Sequence, residues 1–582
     1  MKKSVAFQKN IKLILTVIIL LQSLIITFVF AYKKKGFHSD EIWNYGFANS
    51  TEGGYIYEKD GEKINCYEWV NSEKLLEYIS VDKSEIFAYK DVYINCAKDI
   101  NPPLQNMLLH LICSFFPNVW SKWFCFVINI FAFFLTQIFL YKTILLTGGD
   151  EKLAVMGIIL YGFGAGAANV SIFLRIYALG VAFSVMYIYY SAKIFRDEYK
   201  KSNYIKLFAV GFLGAFTIHQ FLIIAFVVTF AFSAYYLIKR KYKKMFAYGG
   251  TGLLFAGLSI AAFPSTIAHM NGKTASYEVG KLPLMYQLSK YFEYLNRDII
   301  GIHNSANPTF IHSVFSMIIG LAFAILLAIL YVFRKKEKVK KIKNGIFDFV
   351  KRMIEELKKY RYPVIAFFIC VLVFLFIVSG MTSLGRMGEY TRRYIFLIYP
   401  VYSALVIMII KAILNALKIN ESKIDMLMLC ITAVLVILSY AMSDKAFYFN
   451  EKKEGITFSD LEEDTDCIVV LDSLWLSTCA TNELYNTDMF YLTDRANYEH
   501  DNYADLDLGD RSLYLLIDVS NEYIPKENDD EETMLAAQAN GSMINKDEIL
   551  EYYGNLSIAQ GCELCGCDYL FGRKIEIYKL TP

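Results

Sequence analysis

Long apolar runs broken by short polar connectors fill the chain as far as residue 442, and the pattern then changes. Runs close to the roughly 20 residues that cross a hydrocarbon core fall at about 11 to 31, 121 to 147, 153 to 171, 173 to 194, 204 to 218, 220 to 238, 246 to 268, 310 to 333, 363 to 380, 394 to 415 and 424 to 442. They predict about eleven membrane spans. The stretch from Tyr204 to Ile238 is too long for one ordinary helix and too short for two full ones. The polar "THQ" therefore divides it into two short helices whose turn needs shelter from lipid. Beyond residue 443 the short apolar runs "CIVVLD", "MFYLTD", "SLYLLIDV" and "KIEIYKL" alternate with polar and helical stretches, which predicts an α/β domain of roughly 130 residues. The expected fold class is a polytopic α-helical membrane protein, residues 1–442, carrying a small exported C-terminal α/β domain, residues 443–582.

Composition agrees with a membrane protein: 55% of the 582 residues are hydrophobic and 16% aromatic, while a net charge of +2 gives no argument for nucleic acid. The position of the charges says more than their sum. "MKKSVAFQKNIK", "KIFRDEYKKSNYIK", "KRKYKK" and the basic stretch 334–361 all fall on one side of an eleven-span alternation, and short basic loops concentrate on the cytoplasmic side. The expectation is a multi-pass protein of the cell membrane with a cytoplasmic amino end. The loop 32–120, the loop 269–309 and the tail beyond 443 then lie outside. "KKK" at 33–35 is the exception, an outside basic run suited to phosphate. No small-residue cleavage site follows the first apolar segment before the acidic pair at 40 and 41, so that segment is read as retained. Eight of the eleven cysteines lie in the exported segments, where disulfides persist; Cys66 with Cys96 is one candidate pair, and disulfides are favoured over zinc for "CELCGC".

Three sets of polar residues stand out. "FHSDEIWNYGFANS", residues 37–50, places Asp40 beside Glu41 just past the first span, with His38, Trp43, Asn44 and Tyr45 around them. Such a pair reads either as a solvated helix cap or as a carboxylate site in an aromatic-lined groove suited to a sugar ring. "DINPPLQNMLLHLICSFFP", residues 99–117, uses two prolines to start a short helix. That helix carries Leu104, Met107, Leu108 and Leu111 on one face, with Asn101 at its start and His110 further along. It is too short to span and is expected to lie along the outer surface, where His110 is either a structural histidine or part of the mouth of a site. Third come ionisable or polar groups at span ends: Arg175 and Tyr177, His219 and Gln220, and Arg386, Glu389, Arg392 and Arg393. Each charge at membrane depth costs about 2.5 to 3.5 kcal/mol on insertion scales, so pairing, snorkelling or function has to account for them. Several cations opposite two carboxylates suggest a phosphate-bearing substrate, which arginine binds with two hydrogen bonds.

The ordered set of a first span, an outside "DE", the proline-started "PPL…LLH", "RIYAL", a histidine in a split hairpin and a late "RRYIFLIYP" resembles the GT-C class of integral-membrane glycosyltransferases. Its bacterial protein-mannosyltransferase-like and aminoarabinose-transferase-like branches are the nearest in pattern, over about residues 8 to 415. The resemblance implies transfer of a sugar from a polyprenyl-phosphate carrier to an acceptor on the outer face. It also implies that Asp40 is the general base and Glu41 its neighbour in the motif. The class commonly has His-Pro-Pro where this chain has Asn101-Pro102-Pro103, and asparagine cannot exchange a proton near neutral pH.

The residues fit that chemistry. A carboxylate accepts the acceptor's proton as its oxygen attacks the anomeric carbon, and a single displacement inverts that carbon. Arg386, Arg392, Arg393 or Lys273 would stabilise the departing phosphate, so no obligatory metal is expected, although the acidic pair is able to hold one. His38, Tyr45, Asn101, His110, Arg175, Tyr177, His219 and Gln220 are expected to contact substrate. The partners are a polyprenyl-phosphate-linked sugar, an acceptor protein, lipid or wall polymer, and the bilayer. The rival reading is a transporter or lipid-linked sugar flippase with an exported accessory domain. It would be marked by internal repeats and charges near the bilayer midplane, and neither is seen.

Overall fold

The computed structural model describes residues 2–51, 66–99, 101–196, 200–271, 282–302, 337–360, 362–382, 388–472, 474–495, 497–499, 512–520, 545–556 and 561–581. The expected span at 310–333, Lys273, Arg386 and the glycan-acceptor-like "NGS" at 540–542 lie outside the described residues. Two compact units emerge. One comprises Met1–Val29, Asn129–Ser171 and Ile176–Ala446, and the other Phe30–Ile128, Ile172–Arg175 and Phe447–Pro582.

The helices in chain order are α1 (Lys2–Ile25), α2 (Ser39–Asn49), α3 (Glu73–Ile79), α4 (Tyr89–Lys98), α5 (Leu104–Cys113), α6 (Lys122–Leu146) and α7 (Glu151–Gly162). They continue with α8 (Ala165–Ile172), α9 (Tyr177–Arg196), α10 (Lys201–Ala215), α11 (Gln220–Ile238), α12 (Tyr242–Ala262), α13 (Ser265–Asn271) and α14 (Leu284–Ile300). The last six are α15 (Glu337–Lys359), α16 (Tyr362–Met381), α17 (Tyr399–Ala416), α18 (Glu421–Met442), α19 (Ser477–Leu484) and α20 (Lys546–Gly554). Among the described residues eight helices are long and apolar enough to cross a membrane, and α7 with α8, bent by 57°, forms a ninth candidate. The short span expected at 204–218 is α10, at 15 residues, followed by α11 after the "THQ" turn.

In the first unit, two buried glutamines hydrogen-bond across helices inside the bundle. Gln22 on α1 donates to the Ile158 carbonyl at 2.9 Å, and Gln137 on α6 donates to Gln22 at 2.8 Å. Gly162 makes room for them, since a Cβ there would sit 1.8 Å from the Gln137 amide nitrogen. Pro400 stands in the first turn of α17, where the missing N–H costs nothing.

The second unit contains a sheet of strand order β1-β4-β3-β5-β7-β6-β2. Its strands are β1 (Trp69–Asn71), β2 (Glu454–Gly455), β3 (Thr465–Leu471), β4 (Met489–Asp494), β5 (Ser512–Asp518), β6 (Gly561–Leu570) and β7 (Arg573–Thr581). Strands β4, β3 and β5 are parallel and the remainder pair antiparallel. Every residue of β3 is buried, as a central parallel strand covered on both faces should be. Ile468, Val470, Leu515 and Ile517 build the core with Ile549 and Tyr553 of α20. The four apolar runs of the tail are β3, β4, β5 and β7, and β1 is contributed by the loop after the first span.

The cysteine expectations are corrected. Cys96, the expected partner of Cys66, is a free and buried thiol. "CELCGC" is the interior of β6, where Cys562 and Cys565 are spaced along one strand. Residues three apart there lie about 10 Å from each other, beyond disulfide reach.

Candidate active site

The start of α2 is built by its own side chains. His38 caps the helix from an extended conformation: its Nδ1 accepts the Asp40 N–H at 3.0 Å, while Glu41 Oε2 accepts the His38 N–H at 2.8 Å. This is a capping box with histidine in the place usually held by serine or threonine. Because Nδ1 accepts, it carries no proton, and its 3.7 Å approach to the Asp40 carboxylate is a contact between a dipole and a charge.

The two carboxylates of the pair have different surroundings. Glu41 is fully buried; Oε1 accepts the Leu174 N–H at 2.8 Å and Oε2 accepts Lys34 Nζ at 3.0 Å. Burial pushes the Glu41 carboxyl above its ordinary range and Lys34 below its own, and the attraction between them opposes both shifts. Lys34 also donates to the Phe447 carbonyl at 2.6 Å and lies over the Phe37 and Phe449 rings. Of the "KKK" run, therefore, the middle lysine points inward, and the phosphate role suggested for the run does not extend to it. Asp40, one position earlier on the helix, keeps 14% of its side chain exposed. It is the carboxylate of the pair that meets the surface.

Two pieces of the tail border this turn. Trp43 Nε1 donates to Thr478 Oγ1 of α19 at 3.2 Å, and the neighbouring Cys479 feels the charges of Asp40, Glu41 and Glu483. The ring of Phe571 stands 4.5 Å from that of His38, edge to face. Phe571 and Gly572 both have positive φ, at 52° and 75°, and join β6 to β7 in a two-residue turn. A bulky residue held in the left-handed region is uncommon enough to suggest a function for its position.

The remaining candidates of this unit surround α2. Tyr45 is buried, and its hydroxyl donates to the Ser121 carbonyl at 2.7 Å and accepts the Cys125 N–H at 3.2 Å, so it braces the helix instead of offering a free group to substrate. Asn44 donates to the Leu174 carbonyl at 3.1 Å, so Asn44 and Glu41 grip both sides of residue 174. Arg175 follows directly; it is 8% exposed, and its Nε has no hydrogen-bond partner among the described residues. Its charge and that of Asp99 both reach the buried Cys96 thiol, which sets Arg175 near the turn containing Asn101. Asn101 donates to the Asp99 carboxylate. On α5, Gln105, Asn106 and His110 face inward while Leu111 is exposed and Leu104, Met107 and Leu108 are half-buried, the reverse of a soluble helix and fitting for one that lies against lipid. His110 packs edge to face on Tyr89, and burial pushes its pKa down.

In the first unit, Tyr177 packs on Phe396, and Ile218, next to His219, fills the space over Gly180 near Leu397. The α10–α11 turn with His219 and Gln220 is thereby brought to the 3₁₀ segment Gly388–Ile398. Arg392 is fully buried there. It donates to Asp298 Oδ1 at 3.3 Å, to Glu389 Oε2 at 2.5 Å and to the Asp444 carbonyl at 2.8 Å. Arg297 also pairs with Glu389, and the Tyr399 hydroxyl donates to Asp298 at 2.6 Å. The guanidinium of Arg392, expected to hold phosphate, is bonded here to the carboxylates of Asp298 and Glu389. Arg393 lies over the Tyr394 ring, to whose hydroxyl it donates at 3.3 Å.

Sequence reasoning named Lys34 only within the "KKK" run suited to phosphate, not as the partner of Glu41, and missed Thr478, Glu483 and Phe571 around the acidic pair. Only the adjacent Phe571-Gly572, between two strand-like runs, carried a readable signal, that of a hairpin turn.

No protein-family model and no curated protein matches the chain. Among solved structures, ArnT from Cupriavidus metallidurans in the apo state is similar at TM-score 0.46 and 8% identity, covering 97% of this chain and 97% of that one. The same protein bound to undecaprenyl phosphate is similar at TM-score 0.43 and 9% identity, again over 97% of each chain. The archaeal oligosaccharyltransferase AglB from Archaeoglobus fulgidus, in complex with an inhibitory peptide and a dolichol-phosphate, gives TM-score 0.45 and 10% identity over 94% of this chain and 72% of that one. Both proteins are GT-C glycosyltransferases, the class that the ordered motifs resemble.

Proposed function

We propose that the chain is an inverting glycosyltransferase that moves a sugar from a polyprenyl-phosphate donor to an acceptor on the outer face of the membrane, with Asp40 as general base. The observation that carries this reading is the division of labour within the acidic pair. Glu41, with three donors on it, fixes the first turn of α2, and Asp40 is, with Trp43, one of the two residues of that helix that are not buried. A carboxylate so fixed accepts the proton of the acceptor hydroxyl as that oxygen attacks the anomeric carbon, and the bond to the carrier phosphate breaks in the same displacement. Negative charge builds on the departing phosphate. In the same unit Arg175 is a buried cation with an unpartnered Nε, and we assign it that charge. Glu41 is then a positioning residue. Arg393, Arg386 and Lys273 remain candidates for holding the rest of the carrier.

The test uses sealed right-side-out membrane vesicles, labelled lipid-linked sugars and an impermeant acceptor added outside. The parent is expected to release polyprenyl phosphate, and Asp40→Asn at matched expression to do so about 10²- to 10⁴-fold more slowly. Unchanged turnover in the variant rules out Asp40 as base. Activity that appears only when the acceptor reaches the vesicle lumen reverses the assigned face.

A further inference from the structure

Helix α15, among the described residues of the first unit, is a long helix whose composition forbids a span: residues 337–359 hold eight basic and four acidic side chains, a net charge of +4. At 23 residues it is about 35 Å long. Its position is set by three span ends. Arg352 Nε donates to the Ala416 carbonyl at 3.0 Å and Glu356 accepts from Asn415 at 2.9 Å, both at the carboxyl end of α17. The Lys359 carbonyl lies 3.2 Å from where a Cβ on Gly148 would stand, just past the carboxyl end of α6. Span α16 begins three residues later, at Tyr362. These contacts put α15 at the level where α6 and α17 leave the hydrocarbon and α16 enters it.

Around the helix axis, at about 100° per residue, the side chains sort into three arcs. Phe349, Arg352, Met353, Glu356 and Leu357 are half-buried and form the docked arc. Next to it Ile346, Val350, Ile354 and Phe347 form an apolar arc that the described residues leave open, with Phe347 70% exposed. Lys351 and Lys358 border that arc on its far side, also exposed. A soluble protein would not leave this stripe in water, and long lysine stems beside it reach toward headgroups while their methylenes cover acyl chains.

We infer that α15 is an interfacial anchor: its open arc inserts into the leaflet at that membrane face, and its lysines bind anionic phospholipid headgroups. Charge selects the lipid. A net +4 helix lying in the headgroup plane gains about fivefold in binding for each lysine near an anionic surface at modest salt. This holds whatever reaction the enzyme catalyses.

The full-length chain in nanodiscs tests it. In phosphatidylcholine discs with bromine in the upper acyl chain, the added emission of Phe347→Trp over the parent is expected to be quenched by the lipid and sheltered from aqueous iodide. Native mass spectrometry of the parent from discs containing phosphatidylglycerol is expected to retain that lipid preferentially. Lys351→Gln with Lys358→Gln should reduce retention about 25-fold at modest salt, and high salt should do the same to the parent. Iodide quenching of the new tryptophan, a dimer cross-link that covers it, or equal retention of neutral and anionic lipid would each overturn the inference. The parent measurement needs no variant, so a poorly folding mutant does not blunt the test.

Discussion

At the scale of single residues the site turns on Lys34. It is buried with Glu41, between two aromatic rings, and it links the chain just after the first span to the carbonyl of Phe447. Removing one partner of such a pair leaves a charge in a low-dielectric pocket, at a cost on the order of 3–5 kcal/mol. Lys34→Met is therefore expected to lower the thermal midpoint of the detergent-solubilised protein sharply and to reduce turnover by loosening the turn that bears Asp40. Adding Glu41→Gln removes the stranded charge while retaining an acceptor for the Leu174 or His38 N–H, and should recover most of the midpoint. A single mutant within about 1 kcal/mol of the parent, the value for an exposed pair, would show that the pair orders nothing. The sequence could not announce Lys34. Its partner is seven positions on and becomes a neighbour only because the chain runs extended through Gly36 and turns into α2 at His38. The acid was easier to find, since a carboxylate at a membrane exit is conspicuous by its place alone.

At the scale of elements, α19 is the piece of the tail most closely tied to chemistry. It holds Thr478 against Trp43 and carries, in its last turn, the half-buried Glu483, whose carboxyl is pushed up to about 8 chiefly by burial. Lys453 and Lys35 pull the other way, while Asp568 adds to the rise. The folded state thus favours the protonated acid. A group whose folded pKa is raised contributes stability that is complete below its unfolded value and is lost as pH climbs through the folded one. For Glu483 that window runs from about 4.5 to about 8. The thermal midpoint of the parent is expected to decline between about pH 5 and pH 8, and Glu483→Gln to flatten that decline. Parallel curves for the two proteins would remove Glu483 as its source. Elements differed in how readable they were. Strands β3, β4, β5 and β7 are apolar runs that end in polar turns, which any strand reading finds. Strand β6 reads Cys-Glu-Leu-Cys-Gly-Cys, with Glu563 and Leu564 exposed, and offers no period to follow. The arginine cluster was legible as an anomaly but not as a network, because Asp298 lies 94 positions from Arg392 and only folding pairs them.

At the scale of the whole molecule, the loop after the first span and the tail share one unit, and this bears on what the tail is for. Strand β1 pairs with β4 from Trp69↔Tyr491 to Asn71↔Met489, and three residues of strand cannot stand alone in water. The same loop finds Thr478 for Trp43 and Phe571 for His38. A reading that divides the chain at 442 treats the tail as an accessory, yet the turn bearing Asp40 is bordered by residues some 435 and 530 positions away. Covering the His38 ring with Phe571 fixes the imidazole that caps α2, so the tail acts on Asp40 through His38. A chain ending at Asn450 keeps the Phe447 carbonyl for Lys34 but loses the sheet, α19 and the hairpin. It is expected to insert into the membrane and show the span helices by circular dichroism, while residues 66–99 become open to protease and polyprenyl phosphate release disappears. Phe571→Ala is the narrower form of this experiment, since it leaves the sheet intact. It should lower turnover with little change in protease resistance, because the loosened cap disorders the base without unfolding its surroundings. If the truncated chain retains full turnover, the tail is an accessory after all, and the positive φ of Phe571 belongs to the hairpin alone.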